Sequence, residues 1–278
     1  MIRFSTFCIL AMATIALFAQ QDNATRAAWN RPVPPFQIIG NIYYVGAEGI
    51  ASYLITTPRG HILLDGGFTE TAPQIEKNIA ALGFKVKDVK FLLNSHAHYD
   101  HCGGLAELKR ASNAQMVASR PDGAILERGG PPGRPSWQFP PVKVDRFVND
   151  GETLDLGGTR LTALVTPGHT PGCTTWTMSV TDAGKHLNVV FFCSTSVVEK
   201  LTNNKEYPQI VTDYRHTFER LKTLPCDVFL GPHPGFFQLD EKRARMKAGA
   251  PNPFIDPAEF HNYIVQSEQA FEVELKKR

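Results

Sequence analysis

The chain lacks an excess of either charge. Its 29 Lys and Arg face 27 Asp and Glu, for a formal net charge of +2. Such a balance gives no field to attract a nucleic acid or another polyanion, and a small molecule is the expected partner. Long apolar runs are also missing. After Phe4–Phe18, itself short for a membrane span, no hydrophobic segment of spanning length follows. No motif repeats at 20–50 residues and no tract is of low complexity, so a solenoid is excluded. No linker-like break divides the chain, which is read as a single domain over residues 20–278, expected to be a monomer. Cysteine is scarce, five in all, whereas glycine (22) and proline (20) are plentiful. That abundance favours many turns and a β-rich or α/β fold over a helical bundle.

The first residues read as a targeting segment. Arg3 supplies the positive start, Phe4–Phe18 the uncharged apolar stretch, and Ala11, Ala13, Ala16 and Ala19 the small residues. A secretory signal over residues 1–19, cleaved near Ala19, is the reading adopted, with a membrane anchor as the other. The mature chain is then exported to an oxidising compartment and keeps no membrane attachment.

Strands are expected at residues 36–39, 42–45, 51–56 and 61–64. A helix follows, with Pro73 in its first turn, Ile75, Ile79 and Leu82 on one face, and Gly83 as its stop. A strand at 89–93 and a helix through Leu105 and Leu108 come next. The middle is turn-rich around Gly129–Pro135, and the loop between Gly129 and Phe139 is expected to border a cleft. Strands resume at 142–144, 153–156, 160–166, 174–180, 187–193 and 228–230, and Asp256–Glu259 opens a last helix. Strands meeting helices in this order suggest two sheets face to face with helices outside.

The densest chemistry lies in Asn94–Gly103. His96, His98, Asp100 and His101 fall within six positions, directly after the strand at 89–93. Neutral imidazole and carboxylate are the ligands that borderline divalent metals prefer, zinc above all, and a loop at a strand end can aim successive side chains at neighbouring ions. Two more histidines stand among glycines and prolines after strands: His169 in Thr166–Gly172 and His233 in Gly231–Gly235. His61, His186, His216 and His261 have no such setting.

The order His96, His98, Asp100, His101, His169, His233 resembles the metallo-β-lactamase superfamily, over roughly residues 36–235. The resemblance implies an αββα sandwich, an α/β fold, with two Zn2+ at the sheet edges. His96, His98 and His169 would hold one ion, and Asp100, His101 and His233 the other. Asp65 resembles the family's aspartate that orients a ligand from behind; a plain turn residue is the alternative. Lactone and thioester hydrolases of the superfamily carry a bridging aspartate where Ser194 stands here. With His101, Ser194 and Ser196, and with Pro253–Pro257 before the last helix, the chain resembles the third subclass of class B β-lactamases. The implied activity is opening of the β-lactam ring in a periplasmic enzyme by hydroxide formed on zinc, which lowers the pKa of bound water from 15.7 to about 7. Asp100 would act in catalysis, and Ser194 and Ser196 would bind the substrate carboxylate; their alternative role is to satisfy strand-end backbone. The competing readings are a lactonase or thioesterase of the same scaffold and a zinc-binding protein without catalysis.

The thiols carry a further expectation. Some relatives in the subclass bond a cysteine placed like Cys226 to one in the final helix, but no cysteine follows Cys226 here. Export would permit Cys173 to pair with Cys193 instead, but four free thiols are expected in the mature protein.

Overall fold

The computed structural model describes residues 23–277. The expected signal at 1–19, with Cys8, lies outside the described residues. Residues 23–29 form a helix, α1. A seven-stranded sheet then runs in simple order: β1 (Phe36–Ile39), β2 (Ile42–Tyr44), β3 (Tyr53–Thr57), β4 (Gly60–Leu64), β5 (Val89–Leu93), β6 (Gln115–Ser119) and β7 (Arg146–Val148). Its first four strands pair antiparallel and the last four parallel. The second sheet has five strands in the order β12 (Val228–Leu230), β11 (Lys185–Phe191), β10 (Thr174–Asp182), β9 (Thr159–Val165), β8 (Thr153–Leu156).

Strand periodicity decides which side chains meet. Along β3 and β4, Tyr53, Ile55, Ile62 and Leu64 join the core between the sheets, with Trp176 and Phe191 from the facing sheet. Leu54 and Leu63 point the other way. They pack with Leu92 and Met116 under three helices: α2 (Ala72–Ala81), α4 (Leu105–Ser112) and α5 (Arg120–Arg128). These strands are buried on both faces, so their sequences read as near-continuous apolar runs. Across the second sheet, α6 (Ile210–Lys222) and α8 (Glu259–Lys276) close the outer layer, with Phe271 ring-packed on Tyr214 at 4.9 Å and Phe229 on Phe260 at 5.1 Å. The layers are helix, sheet, sheet, helix, as expected.

The middle of the chain differs from expectation. Val142 and Val144 are buried but not in a strand. Val142 donates its backbone N–H to Leu126 O at 3.0 Å and Val144 to the Glu127 carboxylate at 3.2 Å, so α5 takes the bonds a sheet would have used. The strand lies later, at β7. Both β6 and α5 went unread in the sequence, although Ser119 as N-cap, Pro121 in the first turn and Asp122 beside it are helix-start signals.

The thiols also differ. Cys173 and Cys193 form a disulfide, with Cα atoms 5.9 Å apart, and only Cys102 and Cys226 are free among the described residues. The expectation of four free thiols is wrong, because the start of β10 and the segment after β11 lie side by side in one sheet. Thiol titration of the unfolded, unreduced mature chain should find two thiols; four would contradict this pairing.

Candidate metal centre

Three loops meet at one end of the sandwich: the one after β5, the one between β9 and β10, and the one after β12. The first is stapled across to the second sheet. Trp176 Nε1 donates to Asn94 O at 3.0 Å, and Thr174 N donates to Ser95 O at 2.8 Å. His98 has extended backbone, and the short helix α3 (Tyr99–Cys102) then turns Asp100 and His101 back into the site. Cys102 is a buried free thiol. Burial pushes its pKa well up, so it stays protonated and donates to His96 O at 3.1 Å.

Hydrogen bonds fix where the ring protons sit. His169 Nδ1 lies 2.7 Å from Ser196 O and His233 Nδ1 lies 3.0 Å from Gly49 O. A carbonyl only accepts, so both Nδ1 atoms carry hydrogen and both neutral rings bare Nε2. Ser95 Oγ donates to Asp65 at 2.7 Å and therefore accepts from His96 Nδ1 at 3.1 Å. His96 Nε2 is bare as well. It faces His169 Nε2 at 3.1 Å, lone pair to lone pair. Around Asp100 Oδ2 stand His101 Nε2 at 3.2 Å and His233 Nε2 at 3.6 Å. The first is within ion-pair reach but misaligned, leaving both His101 nitrogens buried without a hydrogen-bond partner.

Two groups of ligand-type atoms result, each within 4.8 Å: His96, His98 and His169, and His96, Asp100 and His101. Burial is the largest cause of the depressed pKa of His96 and His98, and it brings His169 and His233 down to about 4. These four rings are neutral at pH 7, the state a metal needs. Burial opposes charge on Asp100 too, but His101, His233 and His98 together hold it well below the usual carboxylate range. His101 is pulled down by burial and more than restored by Asp100 and Asp65, so it is raised. Bare lone pairs aimed at one another, orphaned imidazole nitrogens and a charged carboxylate fit metal ions.

Two buried carboxylates stand behind the cluster. Asp65, at φ 63, accepts Ser95 N and Ser95 Oγ, both at 2.7 Å, and lies 3.6 Å from His101 Nδ1. Burial raises its pKa to about 6 against the lowering effect of His101 and those bonds. The second, Asp122, had not been singled out. The cleft above has a volume of about 480 Å3 and is walled by Trp29, Trp137, Tyr99, Phe236 and Val198. Trp137 packs edge-on against His98 at 4.8 Å, so the Gly129–Phe139 loop reaches the cleft through this residue. Its tryptophan was the available signal. Of the two serines, Ser196 lines the cleft, whereas Ser194 is buried and its Oγ accepts Ser196 N at 3.2 Å. His186, His216 and His261 are exposed, and His61 is buried against Phe84, away from the cluster.

The family model of the metallo-beta-lactamase superfamily matches residues 45–233. The chain belongs to this superfamily. Two solved structures are similar to it along nearly their whole length. The metallo-β-lactamase BJP-1 of Bradyrhizobium japonicum, of subclass B3, is 48% identical, with 90% of this chain and 96% of that one covered and a TM-score of 0.87. FEZ-1 from Legionella gormanii is 44% identical, with 89% and 97% covered and a TM-score of 0.88. Curated relatives match over less: the first three are covered over 36% to 56% of their own length. One is an N-acyl homoserine lactonase of Agrobacterium fabrum, 32% identical over 152 residues, 43% of this chain and 56% of the relative. Metal ions are what members of the superfamily use, and this cluster fits them.

Because the folded state presents the donors together and the unfolded chain does not, metal should stabilise the fold. Dialysis against a chelator should lower the thermal unfolding midpoint, and added zinc should restore it. Equal midpoints with and without metal would contradict the assignment.

Proposed function

We propose that the protein is a zinc hydrolase that opens the β-lactam ring of penicillins, cephalosporins and carbapenems. One observation carries the choice among the superfamily's reactions. The two donor clusters contain a single carboxylate, Asp100, and Ser194 stands where lactone and thioester hydrolases carry a bridging aspartate. The likeness to BJP-1 and FEZ-1 over about nine-tenths of the chain supports the same reading, whereas the lactonase match spans under half of it.

In this reading His96, His98 and His169 hold one zinc, and Asp100, His101 and His233 hold the other. Zinc supplies Lewis acidity and brings the pKa of bound water to about 7. Asp100, the carboxylate facing the cleft, orients the attacking water by accepting a hydrogen bond. The water oxygen adds to the lactam carbonyl carbon, the C–N bond breaks, and the proton reaches the nitrogen. No protein nucleophile takes part. Trp29, Trp137 and Phe236 exclude bulk water and pack against the substrate's apolar parts. Ser196 donates its hydroxyl to the substrate carboxylate, and Ser194 acts behind it by holding the Ser196 backbone.

Export to the periplasm through a cleaved signal belongs to the same proposal. The apolar start of the sequence supports it, and so does the Cys173–Cys193 disulfide, since such bonds persist in oxidising compartments. No described helix is long and apolar enough to cross a membrane.

Hydrolysis of a chromogenic cephalosporin, with lactone and thioester panels alongside, tests the activity. Only the cephalosporin should turn over, and a chelator should abolish it; turnover of the lactone alone would favour the second reading. Asp100→Ala should lower kcat by several powers of ten. Ser196→Ala should mainly raise KM, by about tenfold to a hundredfold, as a lost hydrogen bond to a charged group is worth about 1.5–3 kcal/mol.

A further inference from the structure

The buried carboxylate of Asp122 joins two of the three loops. It lies in the first turn of α5, fully buried, behind the ligand cluster and outside the cleft. Its Oδ2 accepts the backbone N–H of Ala97 at 2.8 Å, the Thr170 hydroxyl at 3.3 Å and the Asn94 amide at 3.4 Å. Its Oδ1 accepts Gly172 N at 3.1 Å. Ala97 sits between His96 and His98, and Thr170 directly follows His169. The carboxylate therefore holds the backbone between His96 and His98, and it holds the loop of His169 through the Thr170 side chain and the Gly172 backbone.

The contact is built for close approach. Ser119 Oγ donates to Gly172 O at 2.6 Å, so α5 and the residue before it grip both backbone groups of Gly172. A Cβ on Gly172 would fall 2.5 Å from Asp122 Oδ1 and 2.5 Å from Ser119 Oγ, so only glycine admits this grip. By contrast, among the described residues Asp122 makes no hydrogen bond to Asp100, His101 or His233. On that side Asp65 stands 3.6 Å from His101 Nδ1, and Gly49 O holds His233.

We propose that Asp122 is a positioning residue that aligns His96, His98 and His169 as one metal-ligand set, independently of the other set. The inference rests on the metal reading given above. Two loops from different parts of the chain, 73 residues apart at His96 and His169, must bring nitrogens to within 3.1 Å. One carboxylate bonded to both loops fixes that approach. An asparagine cannot replace it. Its single acceptor oxygen serves either Ala97 or Gly172, and its NH2 then opposes the other N–H.

Zinc titration of the full-length mature protein against a chromophoric chelator reads each site's affinity. Asp122→Asn should weaken one of the two sites by about 10- to 100-fold, the range seen when a ligand's supporting partner is lost, and leave the other unchanged. The Co2+ absorption of that site alone should change, and Asp122→Glu, which restores a carboxylate, should recover part of the affinity. Equal loss at both sites, or no loss at either, would overturn the proposal. If Asp122→Asn does not fold, Thr170→Val removes one of the four donors and should weaken the same site less; unchanged affinity there would also overturn it. Wild-type protein that binds no zinc would instead contradict the metal reading itself.

Discussion

Two imidazole lone pairs held 3.1 Å apart in a buried site repel one another, and a chain left to itself would turn one ring away. The surroundings prevent that. His169 and His233 each donate Nδ1–H to a backbone carbonyl, and His96 donates to a serine whose own hydrogen is committed to Asp65. Each ring is pinned on its far nitrogen, so its near nitrogen has no choice but to point inward. The fold stores this unfavourable convergence, and a divalent cation turns it into binding.

The convergence in turn depends on the sandwich. Three loops separated by long stretches of sequence end at one rim because β5 and β12 are parallel strands of facing sheets and β9 turns back into β10 there. Trp176 is the link between layers: its ring fills the core between the sheets, and its indole N–H holds the ligand loop at Asn94. Tyr53 does the same for the last loop, its hydroxyl donating to Gly231 O at 2.6 Å. The disulfide between Cys173 and Cys193 ties the two segments that carry His169 and Ser196. Packing and site geometry are therefore not separable here.

Much of this was legible in the sequence, for reasons of local spacing. Residues of metal-ligand type crowd into Asn94–Gly103, and His169 and His233 stand in glycine-proline turns after apolar strands. The double-sided burial of β3 to β5 likewise leaves runs of apolar residues. What escaped depends on contacts between distant segments. Asp122 is a first-turn aspartate until α5 is laid against the Gly172 turn. The Cys173–Cys193 pairing requires the register of β10 against β11. Val142 and Val144 have a strand's composition, yet their backbone bonds go to the end of α5. Ser194 and Ser196 look alike in sequence, and only the turn between them separates the buried acceptor from the residue at the cleft.

The claim on which the account stands is that six side chains form two adjacent three-donor sites. Crystals grown with zinc, with data collected at the zinc absorption edge, test it most directly. Two anomalous peaks about 3.5–4 Å apart are expected. One should lie about 2.0–2.1 Å from nitrogens of His96, His98 and His169, and the other at similar distance from Asp100, His101 and His233. A single peak, or a second one held by other residues, would contradict it.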